Sequence, residues 1–515
     1  MKNVRTRVFS ELKFFLLFLF WNAIFIYAKN PYVALDGEIN IGFNGAKTAS
    51  YFASDTVDRF GSNWRALHIP LETARSYEEV ISPMFALTLK AGYKNFSLLI
   101  EAPLRKDLEA WYDSDLKTNF TLNPSELDIN VPKTAYARYD YSLGFFQLGR
   151  FKPDVGPSEN TLSLGGAPYH DAFWASFNPS VFRYDFMLIS LNAWLHGDTR
   201  DSTGCPPVGT EAYEQKCPSS EKLYENNQRG RIYDENYKNL VYHRIGMDLD
   251  FLWISFTEMS MIGGKSLEFR SINPFIFWHN NYASGYTKAS ALFEIGARPI
   301  EGASFYGQMH IEDIKSPVGE TGGESTRSVL SFLVGYSQDF SIKNWGNFNV
   351  RFDVVKTDPA YNHGHFPLLS YTSRQMYRSN YREQSDDDFA DMFFVDYPIG
   401  YRRGSDALDM WFKLSWEKDL HSFTLSLAYL QQGDKEMNVS YEEALASKHT
   451  LSGIVETEFL FDLLYKRKFW NEFTLYLGGG GTFYENLDHV EGENGFDFWI
   501  RSGVSFTFSF RKEKK

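Results

Sequence analysis

A transmembrane antiparallel β-barrel of about 16–18 strands is predicted by three features of the 515-residue chain. Segments in which apolar and polar residues alternate recur along most of its length. Phe, Trp and Tyr make up 17% of it, yet the mean hydropathy is −0.36. Long polar insertions separate some of the segments, and short turns separate the others. Alternation gives a strand one apolar and one polar face. A barrel in lipid turns the apolar face and its aromatic girdles outward around a polar lumen, which reconciles high aromatic content with negative hydropathy.

Residues 1–28 have the layout of a secretory signal peptide. Lys2, Arg5, Arg7 and Lys13 precede an apolar run from Phe14 to Ile26, and Ala28 is a small residue suited to cleavage. That run of about 13 residues is shorter than the roughly 20 that a membrane-crossing helix needs. Its removal would take the formal charge from −13 to about −16. Such an acidic chain lacks the basic footprint of a general nucleic-acid binder.

Residues 29–515 are expected to form the barrel. Val33, Leu35, Ile39, Ile41 and Phe43 alternate with Asp36, Glu38 and Asn40. Phe85, Leu87 and Leu89, a turn near Gly92, and then Phe96, Leu98 and Ile100 read as a hairpin. Further sets are Phe305, Met309 and Ile311; Leu330, Phe332, Val334 and Tyr336; and Phe348, Val350, Phe352 and Val354. Leu408, Met410, Phe412, Leu414 and Trp416 precede Phe423, Leu425, Leu427 and Tyr429, and Phe473, Leu475 and Leu477 lead to the last strands. Many segments approach the 9–11 residues of a tilted membrane-crossing strand. Loop insertions are placed near 45–80, 104–131, 197–239, 357–405 and 431–452. The run of glycines from Gly478 to Gly481 fits a bend or a close backbone approach within a strand.

The final strand, "SGVSFTFSF", carries Val504, Phe506, Phe508 and Phe510 on one face. It must pair with the first strand, because an open sheet edge is intolerable in lipid. A terminal aromatic strand is also similar to the signal by which barrel assembly machinery recognises outer-membrane proteins, although here the charged tail RKEKK follows it. The predicted location is the outer membrane.

No catalytic, phosphate-binding or metal-binding motif is present, so neither an enzyme nor a cofactor is expected. Cys205 and Cys217 lie in a polar stretch and would form a loop disulfide in an oxidising compartment. Glu258, Glu312 and Asp313 could act as paired acids on a glycoside, but inward carboxylates of a polar lumen are the commoner case. Asp386, Asp387, Asp388 and Asp391 fit a solvated acidic loop better than a cation site. In "YTSRQMYRSNYREQ", Arg374, Arg378 and Arg382 recur every four residues, as do Tyr377 and Tyr381. A helical turn would align them as adjacent stripes, with guanidinium forks for carboxylate or phosphate and rings for sugar faces.

Four stretches carry a resemblance: "LGRFKPDVGPSENTLSLGGAPYHDAF", "HRIGMDLDFLWISFTEMSMIGGKSLEFRSINPFIFWHNN", "SFYGQMHIEDI" and "GYRRGSDALDMWFKLSWE". In this order they resemble the Wzi-like capsule assembly family over roughly residues 140–417. The matching positions are Arg150, then Gly156, Pro157 and Ser158 before a Leu-Ser-Leu run, then His243 and Arg244. Glu258 before Gly263-Gly264, Asn273 and Pro274, Asp313, and Asp406 of Gly404-Ser405-Asp406 complete them. Val155 stands where a Trp is expected, and Glu312 precedes Asp313 in place of an Asp pair. The resemblance implies an 18-stranded barrel that binds surface polysaccharide and assists its attachment or assembly. The alternatives are a porin-like diffusion channel for small solutes and a soluble secreted glycan enzyme.

Overall fold

Each alternating set named above falls on one face of a closed wall. The structure is a computed structural model. It describes residues 32–47, 66–68, 82–113, 118–192, 237–263, 287–313, 327–364, 367–379, 392–437, 441–448, 450–470 and 472–513, with single positions between them. The expected signal peptide, the Cys205–Cys217 pair, Arg382 and the acidic run at Asp386–Asp388 and Asp391 lie outside the described residues.

The strands are β1 (Tyr32–Lys47), β2 (Ala66–His68), β3 (Phe85–Tyr93), β4 (Phe96–Leu104), β5 (Thr134–Tyr141), β6 (Gly144–Phe151) and β7 (His170–Phe177). They continue with β8 (Phe182–Leu191), β9 (Lys238–Asp248), β10 (Leu252–Gly263), β11 (Thr287–Ala297), β12 (Ala303–Asp313), β13 (Val329–Ile342) and β14 (Gly346–Lys356). The last are β15 (Thr372–Arg378), β16 (Met392–Pro398), β17 (Ala407–Lys418), β18 (His421–Gln432), β19 (Glu456–Lys468), β20 (Phe473–Glu485) and β21 (Asn494–Glu513). All but β2, β15 and β16 form one 18-stranded sheet whose neighbours follow chain order, every pair antiparallel. Closure is made by β1 and β21, in register from Tyr32↔Glu513 to Lys47↔Phe498. This leaves the wall without an edge, the condition for a sheet in hydrocarbon.

The outward face carries the alternating apolar sets. Ile41, Val334 and Phe510 are 53%, 65% and 66% exposed, as lipid-facing side chains are when the protein stands alone. Phe508 lies across Gly37 on β1, where a Cβ would fall 2.0 Å from its ring. The glycine run on β20 makes room for larger inward neighbours on β21: a Cβ on Gly480 would meet Trp499 at 2.7 Å. Trp499 and Arg501 use that room to reach Asp462 on β19.

Short turns occupy one end of the barrel, at 94–95, 142–143, 178–181, 249–251, 298–302, 343–345, 419–420 and 469–472. The long connections are all at the other end. Besides the regions expected to be insertions, that end has connections at 152–169, 264–286, 314–328 and 486–493. The first of these changes the interior.

A polar lumen was the expectation, and it does not hold in the half nearest the long connections. Trp174, Met187, Ile189, Leu240, Tyr242, Met259 and Met261 point inward from β7–β10 and are at most 7% exposed. They pack against Val155, Leu164, Leu368, Leu369, Tyr371 and Ile399, which come from the connections after β6 and after β14. A second cluster joins Leu162, Tyr361 and Tyr401 to Leu292, Tyr306, Leu333 and Val355 of the wall. The inward face there is apolar because it meets folded chain instead of water.

Candidate functional site

The connection 152–169 leaves β6 and turns into the lumen as a plug. Gly156 has φ +99°, and a Cβ there would come within 2.6 Å of the Thr161 hydroxyl. Glycine is the residue that tolerates both conditions. Beyond Pro157, the Ser158 hydroxyl and the Asn160 amide (3.0 Å) donate to Asp353 on β14, which also accepts from the Tyr306 hydroxyl at 2.6 Å. The Leu162 N–H donates to Gln308 Oε1 at 2.8 Å, and Gln308 donates in turn to Glu294 at 2.8 Å. Arg244 completes this buried chain with a 2.7 Å bond to Glu294. The plug therefore bonds directly to β12 and β14, and the chain of bonds continues through Gln308 to β11 and β9.

A second segment, from the connection after β14, locks the first. The Tyr361 hydroxyl donates to the Leu162 carbonyl at 3.2 Å. The Tyr371 hydroxyl reaches the carbonyls of Met259 and Lys288 at 2.8 and 2.9 Å. Lys288 bonds Glu312 and the His363 carbonyl. The Asp406 carboxylate, fully buried, accepts from the Leu451 N–H at 2.7 Å and from Ser452 and Lys435, tying the connection after β18 to the start of β17. Burial pushes the Asp406 carboxyl up, against these stabilising hydrogen bonds.

Half of the described positions that carry the family resemblance belong to this scaffold. Gly156, Pro157 and Ser158 shape and pin the plug, Arg244 ends its hydrogen-bond chain, and Asp406 holds the loops. Arg150 faces outward in a bidentate pair with Asp171 (2.9 and 2.8 Å), 4.4 Å from the Tyr169 ring. His243 sits opposite Glu258 in register on the outer face, back to back with inward-facing Arg244. Asn273 accepts from the Phe275 N–H at 3.0 Å, while Pro274 lies outside the described residues. Asp313 ends β12 beside a register shift, and its side chain is not described. Glu258 and Glu312 are on opposite faces of the wall, so these two acids do not flank one substrate.

The arginine–tyrosine segment differs from expectation. Residues 372–378 are a strand, not a helix, and pair with β16, which pairs in parallel with β2. The alternation of a strand sends Arg374 and Arg378 to one face and Tyr377 to the other. Tyr377 is 6% exposed, packed with Tyr77, Leu108, Trp111, Val395 and Tyr397. Its hydroxyl donates to Gln375 at 2.9 Å, and burial raises its pKa well above the usual value. Arg374 is taken up by a bidentate pair with Asp396. Arg378 is exposed and makes no ion pair among the described residues; its backbone is bonded by the Asn130 side chain, both bonds 2.8 Å. Tyr381 is 38% exposed. The open side of this small sheet therefore presents Met376 and Arg378, with exposed Ile129 and Val131 on either side of the Asn130 that bonds Arg378; Tyr381 follows beyond the strand.

Sequence reasoning missed Asp353, Gln308, Glu294 and Tyr361, the residues that seat the plug. Their signal was present but ambiguous: Gln308 and Glu294 look like ordinary lumen-facing polar positions until the plug supplies their partners. In the other half of the barrel, toward the short turns, the lumen opens as a cavity of about 640 Å³.

No family model and no curated protein matches the chain. Among solved structures, Wzi, an Escherichia coli outer membrane protein involved in group 1 capsule assembly and a carbohydrate-binding β-barrel, is similar at 13% identity, with a TM-score of 0.47. That match covers 92% of this chain and 84% of the other. OccK5 (OpdH) of Pseudomonas aeruginosa shares 9% identity over 94% of this chain and 99% of its own, with a TM-score of 0.40. The outer membrane protein OmpT of Vibrio cholerae shares 9% identity over 93% and 99%, with a TM-score of 0.32. These are distant likenesses between barrels, and the 18-stranded closed fold is read from the strand pairing of the chain itself.

Proposed function

We propose that the protein is an outer-membrane barrel that binds surface polysaccharide and helps to attach or organise it at the cell surface. The observation that carries this reading is the plug. Two long connections are folded into the lumen and hydrogen-bonded to its wall, which suits a fixed platform better than a diffusion path. Barrels of this kind place short turns in the periplasm and long loops outside. On that orientation the small sheet with Arg378 and Tyr381 faces the medium. The Arg378 guanidinium, without an ion pair among the described residues, suits a carboxylate or phosphate on a glycan, and the exposed Tyr381 ring suits the apolar face of a sugar.

The test is retention of polysaccharide on cells carrying Arg378→Ala with Tyr381→Ala. Loss of one charge-assisted contact, about 1.5–3 kcal/mol, should weaken binding tenfold or more at unchanged surface abundance. Unchanged retention would remove this face from the binding site. Reconstituted protein should conduct poorly in planar bilayers; large stable pores would favour the channel reading.

A further inference from the structure

We propose that the outward face of β17–β19, beside the short turns, is a binding site for the headgroup of an anionic phospholipid. The proposal rests on the barrel standing in a membrane and not on the polysaccharide reading. Tyr429 and Phe459, register partners on β18 and β19, are 42% and 47% exposed and mark the outward face. Counting by twos from them toward the turns, register lays rows of side chains across the three strands. Leu414, Leu425 and Leu463 are neighbours in one row, and Trp416, Phe423 and Tyr465 in the next. The row nearest the turns is Lys418, His421 and Arg467. Beyond it, Phe469 and Trp470 in the turn after β19 are 41% and 67% exposed. Aliphatic, aromatic and then basic rows follow the order of a leaflet from acyl chain through interface to headgroup.

The basic row has donors to spare. Lys418 Nζ gives one bond, to the Asn344 carbonyl at 2.6 Å, and keeps two further N–H groups. The Tyr465 hydroxyl lies 2.6 Å from His421 Nδ1, and when it donates there Nε2 carries the ring's own N–H. Arg467 is exposed, its guanidinium 5.0 Å from the centre of the Phe469 ring. None of the three makes an ion pair among the described residues, and no acidic residue stands in their row. Basic side chains near other turns are neutralised: Arg138, Arg183 and Arg298 pair with Asp140, Asp185 and Asp248 at 2.7–2.8 Å. Adjacent strands are about 4.8 Å apart, so the row spans about 10 Å and its two long side chains can converge on one phosphate beside His421. Acyl chains would then lie along the aromatic and leucine rows. A choline headgroup brings its own ammonium to the same cations, so a lipid with net negative charge fits better.

The experiment uses the folded full chain, delipidated in detergent, with phosphatidylglycerol and phosphatidylcholine of identical acyl chains as probes, read by native mass spectrometry. Phosphatidylglycerol should bind about tenfold tighter, and Lys418→Gln with Arg467→Gln should remove that preference at unchanged heat-modifiable migration. Lys466→Gln, which removes the neighbouring charge on the inward face, should leave the preference intact. Soluble glycerol 3-phosphate should not displace the lipid, because it has no acyl chains to lay on the aromatic and leucine rows. The comparison of the two lipids on the unaltered protein needs no variant, so it decides the matter if the double variant fails to fold. Equal binding of the two lipids, a preference that survives the double substitution or is lost equally with Lys466→Gln, or displacement by glycerol 3-phosphate would overturn the proposal.

Discussion

Asp353 joins plug and barrel through a buried carboxylate. It is 1% exposed and accepts from the Ser158 hydroxyl, the Asn160 amide and the Tyr306 hydroxyl. Hydrogen bonds to a charged group contribute about 1.5–3 kcal/mol each, and a buried donor left without its acceptor costs about 1–3 kcal/mol. Asp353→Ala removes all three at once. The bonds share one carboxylate, so their effects are not additive, and we expect about 3–5 kcal/mol in place of the full sum. The apolar packing of Leu162, Tyr361 and Tyr401 is untouched, so the plug should loosen near 158–162 without leaving the lumen. Native-state hydrogen exchange is the assay: amide protection over residues 160–162 should fall by a factor of about 100–4,000, while β13 and β17 keep theirs. Tyr306→Phe, which removes only one donor, should cost about 1 kcal/mol. If Asp353→Ala leaves exchange in the plug unchanged, the plug is not held through this carboxylate and the account of its seating is wrong.

Three further outcomes are expected. Phe508→Asp puts a charge on the lipid face and should impair assembly, by up to about 2–4 kcal/mol if it lies near the midplane, whereas Thr507→Asp on the inward face should be milder; equal defects in heat-modifiable migration would contradict the face assignment. Tyr377→Ala empties a buried position and should destabilise the small sheet by about 3–5 kcal/mol, measured as protease sensitivity of that connection, with Arg378→Ala leaving the sheet intact. His489 joins two loops by bonding Glu436 at 2.9 Å and the Ile454 carbonyl at 2.8 Å. Partial burial works against its charge, yet Glu436 and that carbonyl raise its pKa to about 9. Because the folded value is raised, the stabilisation is fully present below about pH 6.5 and is lost as pH climbs through about 9. Solvent screening at the half-exposed Glu436 should limit it to about 1–2 kcal/mol. Imidazole NMR should show His489 still protonated at neutral pH and titrating near its usual value in Glu436→Gln.

The lipid-facing half of this protein was legible in its residues. A period of two is a local property, and hydrocarbon imposes one demand on the side chains that meet it, so the alternating sets and the closing pair could be placed without coordinates. The inner face obeys no such single rule. Met259 and Met261 alternate with Glu258, Ser260 and Ile262, and nothing nearby says which face turns inward or whether an inward methionine meets water or protein. That depended on a connection far away in the chain: Thr161 meets Gln308 across 147 residues. The arginine–tyrosine segment shows the same limit. Spacing by four suits a helix, and strand pairing with β16 overrode it, which sent Tyr377 into a core and left Arg378 outside. Side-chain spacing records which faces are possible; the partner that covers a face, and so decides whether it is core or binding surface, is set only when distant segments pack.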